Sequence, residues 1–214
     1  MAHASAHPAT NTGVDNRKLL MWLFLASECL FFGGLIGTYL LYRGRHAVPC
    51  EDGTISACVF PIDKVVNGVK YEGLFDIPFT SISAFVLLMS SVTMVLALAA
   101  LQRNDRRGSQ IWLLATALLG MTFLAGQAFE FTEFYHAGLH LDTNLFGTTF
   151  FVLTGFHGAH VSVGVIILLS LFVMGWRGRL SHENALNVEL AGLYWHFVDI
   201  VWIVIFTLVY LIQT

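Results

Sequence analysis

Seven polar side chains that could do chemistry interrupt the long apolar stretches of this sequence. They are three carboxyl groups, three imidazoles and one amide: Glu28, Glu130, Asp199, His157, His160, His196 and Gln127. An ionised carboxylate at the centre of a bilayer costs on the order of 3 kcal/mol by insertion scales. Such groups are therefore expected to face a helix bundle or a polar cavity, or to stay protonated.

Three interpretations of this pattern are open from the residues alone. The first is hydrogen bonding between helices that holds a bundle together. The second is ligation of haem by two histidines, which requires imidazoles that face each other from different helices at matching depth. His157 and His160 lie three residues apart on one helix face, whereas His196 is placed nearer the inner end of its helix. The third is a transporter or proton path, for which the sequence lacks broken-helix and inverted-repeat signals.

Depth along the predicted helices, at about 1.5 Å per residue, sorts these groups into two layers. Glu28, His196 and Asp199 fall in the inner half, where Glu28 and Asp199 could share one polar cluster with His196. The outer half contains His157, Gln127 and Glu130.

The composition requires a membrane around these groups. Of the 214 residues, 56% are hydrophobic and 12% are charged, and the mean hydropathy is +0.70. Soluble domains contain about 25% charged residues, so this chain could not coat a water-soluble particle. The net charge of -3 and the lack of a basic block argue against nucleic-acid binding.

Five long uncharged runs predict an all-α, polytopic membrane protein with a bundle of five transmembrane helices. Each run reaches the roughly 20 apolar residues that a helix needs to cross about 30 Å of hydrocarbon. The predicted spans cover residues 19–42, 78–101, 110–131, 146–175 and 191–212. They form a single domain, 19–212, preceded by a mobile N-terminal arm, 1–18, and interrupted by a long loop, 43–77.

The side of the membrane that holds the N-terminus carries seven Lys and Arg residues, and the opposite side carries four. This asymmetry predicts the N-terminus inside and the C-terminus outside. The long loop then lies outside, where Cys50 and Cys58 are either bonded as a disulfide or two free thiols. Within the first span, Cys29 is expected to have a packing role, and Gly33 and Gly37 form a small-residue face suited to close helix contact.

Motifs of metal, nucleophilic and phosphate chemistry are absent from the sequence. It contains no Cys-x-x-Cys, no His-Glu-x-x-His, no nucleophile elbow and no phosphate-binding loop. The residues alone therefore indicate a small helical membrane subunit with no catalytic residues, no metal site and an intramembrane polar lining.

Five stretches carry a resemblance to a known family. They are LFLASECLFFGGLIGTYLLYR, SSVTM, GQAFEF, FGTTFFVLTGFHGAHVSVG and LYWHFVDIVWIVIF, in that order along the chain. Together they resemble subunit III of the haem–copper oxidases, above all cytochrome c oxidase, in its shorter five-helix bacterial form. The resemblance covers residues 18–212, and GFHGAH followed by YWHFVDIVW is its most specific part.

The resemblance implies an indirect function in a prokaryotic plasma membrane. The complex would reduce oxygen to water and pump protons, with the haems and copper on partner subunits I and II and none on this chain. This chain would pack on subunit I beside other respiratory-complex subunits, stabilise the complex, hold phospholipid and support proton uptake. Rival assignments are subunit III of a quinol-oxidising enzyme, a nitric oxide reductase subunit, or a stand-alone transporter or haem-binding protein.

The resemblance also implies roles for individual residues. Glu28 matches a carbodiimide-reactive carboxyl linked to proton uptake, with a hydrogen bond that fixes the first helix as the alternative. Arg177 matches an arginine that binds phospholipid head groups, with a topology-setting arginine as the alternative. Further lipid-binding candidates are His157, His160, Trp195 and His196, and Gln127, Glu130 and Asp199 are expected in polar packing between helices.

Overall fold

A computed structural model describes most of the predicted transmembrane region. The described residues are 13, 15–42, 64–66, 69–71, 75–136, 139, 141, 145–180 and 184–212. Cys50 and Cys58 lie outside them. So does most of the predicted N-terminal arm, although its last three residues already belong to the first helix.

The described residues form five helices that are long and apolar enough to cross a membrane, which confirms the predicted fold class. They are α1 (Asn16–Tyr42), α2 (Ile77–Gln102), α3 (Arg106–His136), α4 (Leu145–Trp176) and α5 (Ala185–Phe206). A turn of π-helix, Thr207–Leu211, continues α5. A short antiparallel hairpin, β1 (Lys64–Val66) with β2 (Val69–Tyr71), lies within the long loop.

The helices extend beyond the apolar runs that predicted them. Helix α5 begins at Ala185, six residues before the predicted span, and α3 continues five residues past Phe131. Charged and polar residues ended the predicted spans, but the backbone hydrogen bonds of a helix do not require apolar side chains.

Local signals fix where the helices start and turn. The Asp76 side chain accepts a hydrogen bond from the backbone N–H of Phe79, and Pro78 occupies the first turn of α2. Between α2 and α3, Asn104 adopts a φ of 61°, a left-handed conformation that asparagine tolerates. Gly178 adopts a φ of 71° in the turn after α4.

Contacts between helix ends show which ends lie together. Lys18 at the start of α1 pairs with Glu189 at the start of α5. Thr80, near the start of α2, bonds to Glu130, near the end of α3. The first contact shows that the N-terminal ends of α1 and α5 lie together. The second shows that α2 is antiparallel to α3.

Helix α1 lies at the edge of the bundle. The expected packing of Cys29 is wrong for the described chain, and the small-residue face of Gly33 and Gly37 meets no other described helix, so its close helix contact stays a prediction. The only buried side chains of α1 are Phe32 and Tyr39. Cys29 is exposed rather than packed inside the bundle, and a Cβ added at Gly33 or Gly37 would meet nothing within 4 Å. Because α1 turns its Phe32 face to the bundle, the glycines and Cys29 face outward.

Candidate functional site: three intramembrane polar clusters

The inner cluster joins α2 to α5 through Ser91. The Ser91 hydroxyl donates to Asp199 Oδ2, and its oxygen lies 2.8 Å from His196 Nδ1. A hydroxyl has one proton, so when it donates to Asp199 the imidazole must donate to it. Asp199 is buried, at 3% exposure, whereas His196 is half-buried.

Glu28 does not belong to this inner cluster. The expectation that Glu28 and Asp199 share one cluster is wrong, because Glu28 Oε2 lies 3.2 Å from His160 Nε2 and thereby joins α1 to α4. Helix rotation decides this pairing: His160 projects from α4 toward α1, while Asp199 projects from α5 toward α2.

The direction of the Glu28–His160 hydrogen bond depends on which imidazole nitrogen carries a proton. His160 Nδ1 lies 2.8 Å from the Phe156 carbonyl oxygen, which can only accept, so Nδ1 carries a proton. If the imidazole is neutral, Nε2 must accept and Glu28 must donate as the protonated acid. If Nε2 is protonated instead, Glu28 is the acceptor. In either case a single proton lies between the two side chains.

The outer cluster contains Glu130 and Gln127 of α3. Glu130 accepts a hydrogen bond from Thr80 of α2 and also bonds to Tyr210 in the π-helical turn. Gln127 Nε2 donates to the Thr154 carbonyl of α4 at 2.8 Å. These contacts lie between helices, which is the position predicted from the sequence for Gln127, Glu130 and Asp199.

Trp195 lies at the centre of the bundle. Its indole Nε1 donates to Ser90 Oγ of α2 at 2.8 Å. A Cβ at Gly120 of α3 would stand 2.5 Å from the indole, and one at Gly164 of α4 would stand 2.7 Å from it. The two glycines therefore leave the space that this side chain fills.

The structure contradicts the predicted lipid contact of two residues, Trp195 and His157. Trp195 and His157 are 0% exposed, so the bundle separates both side chains from lipid. The His157 ring stacks on Trp202 with ring centroids 4.9 Å apart. His160 and His196 keep partial exposure, and Arg177 is exposed in the turn after α4.

An apolar groove of about 600 Å³ opens between α1, α4 and α5. Eleven residues line it: Met21, Phe24, Glu28, Phe156, Ala159, His160, Val163, Ile167, Leu190, Ala191 and Tyr194. The Glu28–His160 pair lies in its wall. Met21 and Leu190 line it near the N-terminal ends of α1 and α5.

Sequence reasoning missed the hydroxyl groups that complete the clusters. Ser91 and Thr80 bridge helices to Asp199 and Glu130, and Ser90 holds the Trp195 indole. Serine and threonine are frequent in membrane helices because they can bond to their own backbone, so residue type alone did not single them out. The SSVTM stretch, which contains Ser90 and Ser91, was the available signal for two of these three residues.

Among the described residues, no group of three or more His, Cys, Asp or Glu side chains could hold a metal ion. The fold and the three clusters define a polytopic helical membrane protein whose intramembrane polar groups mainly join its own helices.

Comparison with known proteins gives the family. The model of the family "Cytochrome c oxidase subunit III" matches residues 3–214. Cytochrome c oxidase subunit 3 of Thermostichus vulcanus is 36% identical over 98% of this chain and 91% of its own length. The protein of that name from Bacillus sp. (strain PS3) is 35% identical over 96% and 91%. Quinol oxidase subunit 3 of Bacillus subtilis is 33% identical over 89% and 84%.

The chain therefore belongs to the cytochrome c oxidase subunit III family, whose members work within multi-subunit terminal oxidases. It is a membrane protein and a subunit III of a haem–copper oxidase.

Proposed function

We propose that this chain is a non-catalytic subunit of a cytochrome c oxidase, which packs on subunit I, stabilises the complex, holds phospholipid and supports proton uptake. The observation that carries the proposal is the family match over residues 3–214. The geometry supports it, because the described carboxyl and imidazole groups bond mainly to neighbouring helices. The haems and copper then belong to partner subunits I and II.

The groove between α1, α4 and α5 is our proposed place for phospholipid. Its lining is largely apolar and its volume, about 600 Å³, suits hydrocarbon chains. Arg177 lies ten residues beyond Ile167 of the lining, about 15 Å along α4 at 1.5 Å per residue. A guanidinium at that level suits a phosphodiester at the membrane interface. His160 in the groove wall and His196 outside it remain secondary lipid-contact candidates.

Glu28 is our proposed proton-uptake carboxyl. It lies in the wall of the groove, 18% exposed, and its Oε2 is 3.2 Å from His160 Nε2. This placement leaves the carboxyl reachable by an apolar carbodiimide. It also gives Glu28 the structural role of joining α1 to the bundle, and the two roles are compatible.

We propose a prokaryotic plasma membrane, with the N-terminus inside. The end of the bundle that carries the N-terminus of α1 also carries the α2–α3 and α4–α5 turns. Seven Lys and Arg residues belong to that end: Arg17, Lys18, Arg103, Arg106, Arg107, Arg177 and Arg179. Positive charge near membrane helices favours the cytoplasmic side.

Affinity purification of the chain in mild detergent tests the proposal. We expect two larger chains to co-purify, with haem bands in the reduced-minus-oxidised spectrum and a copper signal from the second chain. Haem bands without that copper would favour a quinol oxidase, which relatives named quinol oxidase subunit 3 make the second candidate. A colourless protein without partners would contradict both.

A further inference from the structure

The inner cluster is connected to the surface of the bundle by a second, smaller groove. This groove, of about 230 Å³, lies between α2 and α5. On α5 its lining includes Glu189, Gly192 and His196, which follow one another at spacings of three and four residues and therefore share a helix face. It thus runs from Glu189, at the Lys18 ion pair, to the imidazole of the inner cluster, about 10 Å along the helix axis.

Hydrogen bonds continue from the imidazole into the bundle. His196 Nδ1 lies 2.8 Å from Ser91 Oγ, and the Ser91 hydroxyl bonds to Asp199 Oδ2. Asp199 is 3% exposed, so within the described chain its contact with the groove runs through these two side chains. Its other oxygen, Oδ1, has no hydrogen-bond partner among the described residues, so the chain of hydrogen bonds ends there.

We propose that Asp199 is a proton-holding site that exchanges its proton with the groove through His196 and Ser91. When Asp199 is protonated, three protons move, each along one hydrogen bond. Asp199 takes the Ser91 proton, Ser91 takes the proton of His196 Nδ1, and His196 takes one at Nε2 from a hydronium ion in the groove, which is left as water. Release reverses these steps, and no electron moves. The site is distinct from the Glu28–His160 pair, which lies in the other groove.

The chemistry of each residue suits its place in this chain. An imidazole has two nitrogens, one of which can receive a proton while the other gives one up. A hydroxyl donates and accepts at the same atom, so Ser91 can pass a proton without leaving its position. A buried carboxyl favours its neutral form, which lets Asp199 hold a proton inside the membrane.

Infrared spectroscopy of the purified complex tests the proposal. The carboxylic C=O band that Asp199→Asn removes identifies the Asp199 group, and rapid transfer to D₂O measures how fast that group exchanges. We expect exchange to be complete soon after mixing in the unmodified protein. In His196→Phe and Ser91→Ala we expect it to be on the order of tenfold slower, which corresponds to a barrier about 1.4 kcal/mol higher. His136→Phe, which replaces an exposed imidazole at the end of α3, is the matched control and should leave the rate unchanged.

Three results would overturn the proposal: no C=O band that depends on Asp199, slow exchange in the unmodified protein, or equal rates in all variants. If Asp199→Asn does not assemble, Asp199→Glu identifies the group by shifting the band. The exchange is read at Asp199 itself and not from oxygen consumption. The outcome therefore does not depend on the proposed oxidase function.

Discussion

The close packing of Trp195 against Gly164 predicts that Gly164→Ala lowers the stability of the chain. In Gly164→Ala, the new methyl carbon would stand 2.7 Å from two carbons of the indole ring. That is about 0.8 Å short of the 3.5 Å at which carbon atoms begin to pack well. The ring cannot easily move away, because Gly120 lies against its other edge and Ser90 holds its N–H.

The expected cost follows from two opposing effects. Overpacking a filled core costs about 1–3 kcal/mol, while alanine gains up to about 1 kcal/mol over glycine in helix propensity. Because the indole is fixed on two sides, we expect the upper part of the overpacking range. The net loss is then about 1–2 kcal/mol, or roughly 5–30-fold in the folded-to-unfolded ratio.

A heat step on the purified complex measures this loss as the fraction of the chain that stays assembled. Gly155→Ala on the same helix is the matched control, since a Cβ there meets nothing within 4 Å, and it should be neutral or stabilising. Trp195→Phe removes part of the indole, so Gly164→Ala should cost less in that background. Equal stability of the two glycine variants, or additive effects in the double variant, would refute the packing argument.

Three further predictions concern the proposed site residues. Glu28→Gln should retain assembly, because the amide can still hydrogen-bond His160, but the complex should lose activity faster during turnover. Arg177→Ala should lower the number of phospholipids bound to the complex in native mass spectra. The intact mass of the chain after alkylation should show whether Cys50 and Cys58 are bonded: a disulfide blocks alkylation of both until reduction.

Controls keep these outcomes distinct. Glu133→Gln changes an exposed glutamate of α3 and should leave the inactivation rate unchanged, so an equal rate in Glu28→Gln would remove the proton-uptake role. Arg179→Ala is the control for Arg177→Ala, because it removes a second exposed cation in the turn after α4. An unaltered lipid count in Arg177→Ala would contradict the head-group assignment, and two cysteines that alkylate without reduction would exclude the disulfide.

Hydropathy and motif order predicted the membrane class, the five helices and the family. These properties are local, because a run of about 20 apolar residues must satisfy its backbone hydrogen bonds as a helix in lipid, whatever surrounds it. For the secondary structure, the inaccuracies lay at helix ends and in the hairpin. Helices α3 and α5 continue through polar residues, and the short hairpin β1–β2 lies in a segment predicted only as a loop.

The partners of the polar groups depended on the tertiary structure. The sequence placed Glu28 and Asp199 at similar depth, but packing turns Glu28 toward His160 and Asp199 toward Ser91. Packing likewise buries Trp195, which the resemblance alone made a lipid-binding candidate. Helix rotation and register are set by many side-chain contacts between distant segments. The order of residues therefore fixed which groups enter the membrane, and packing fixed which of them meet.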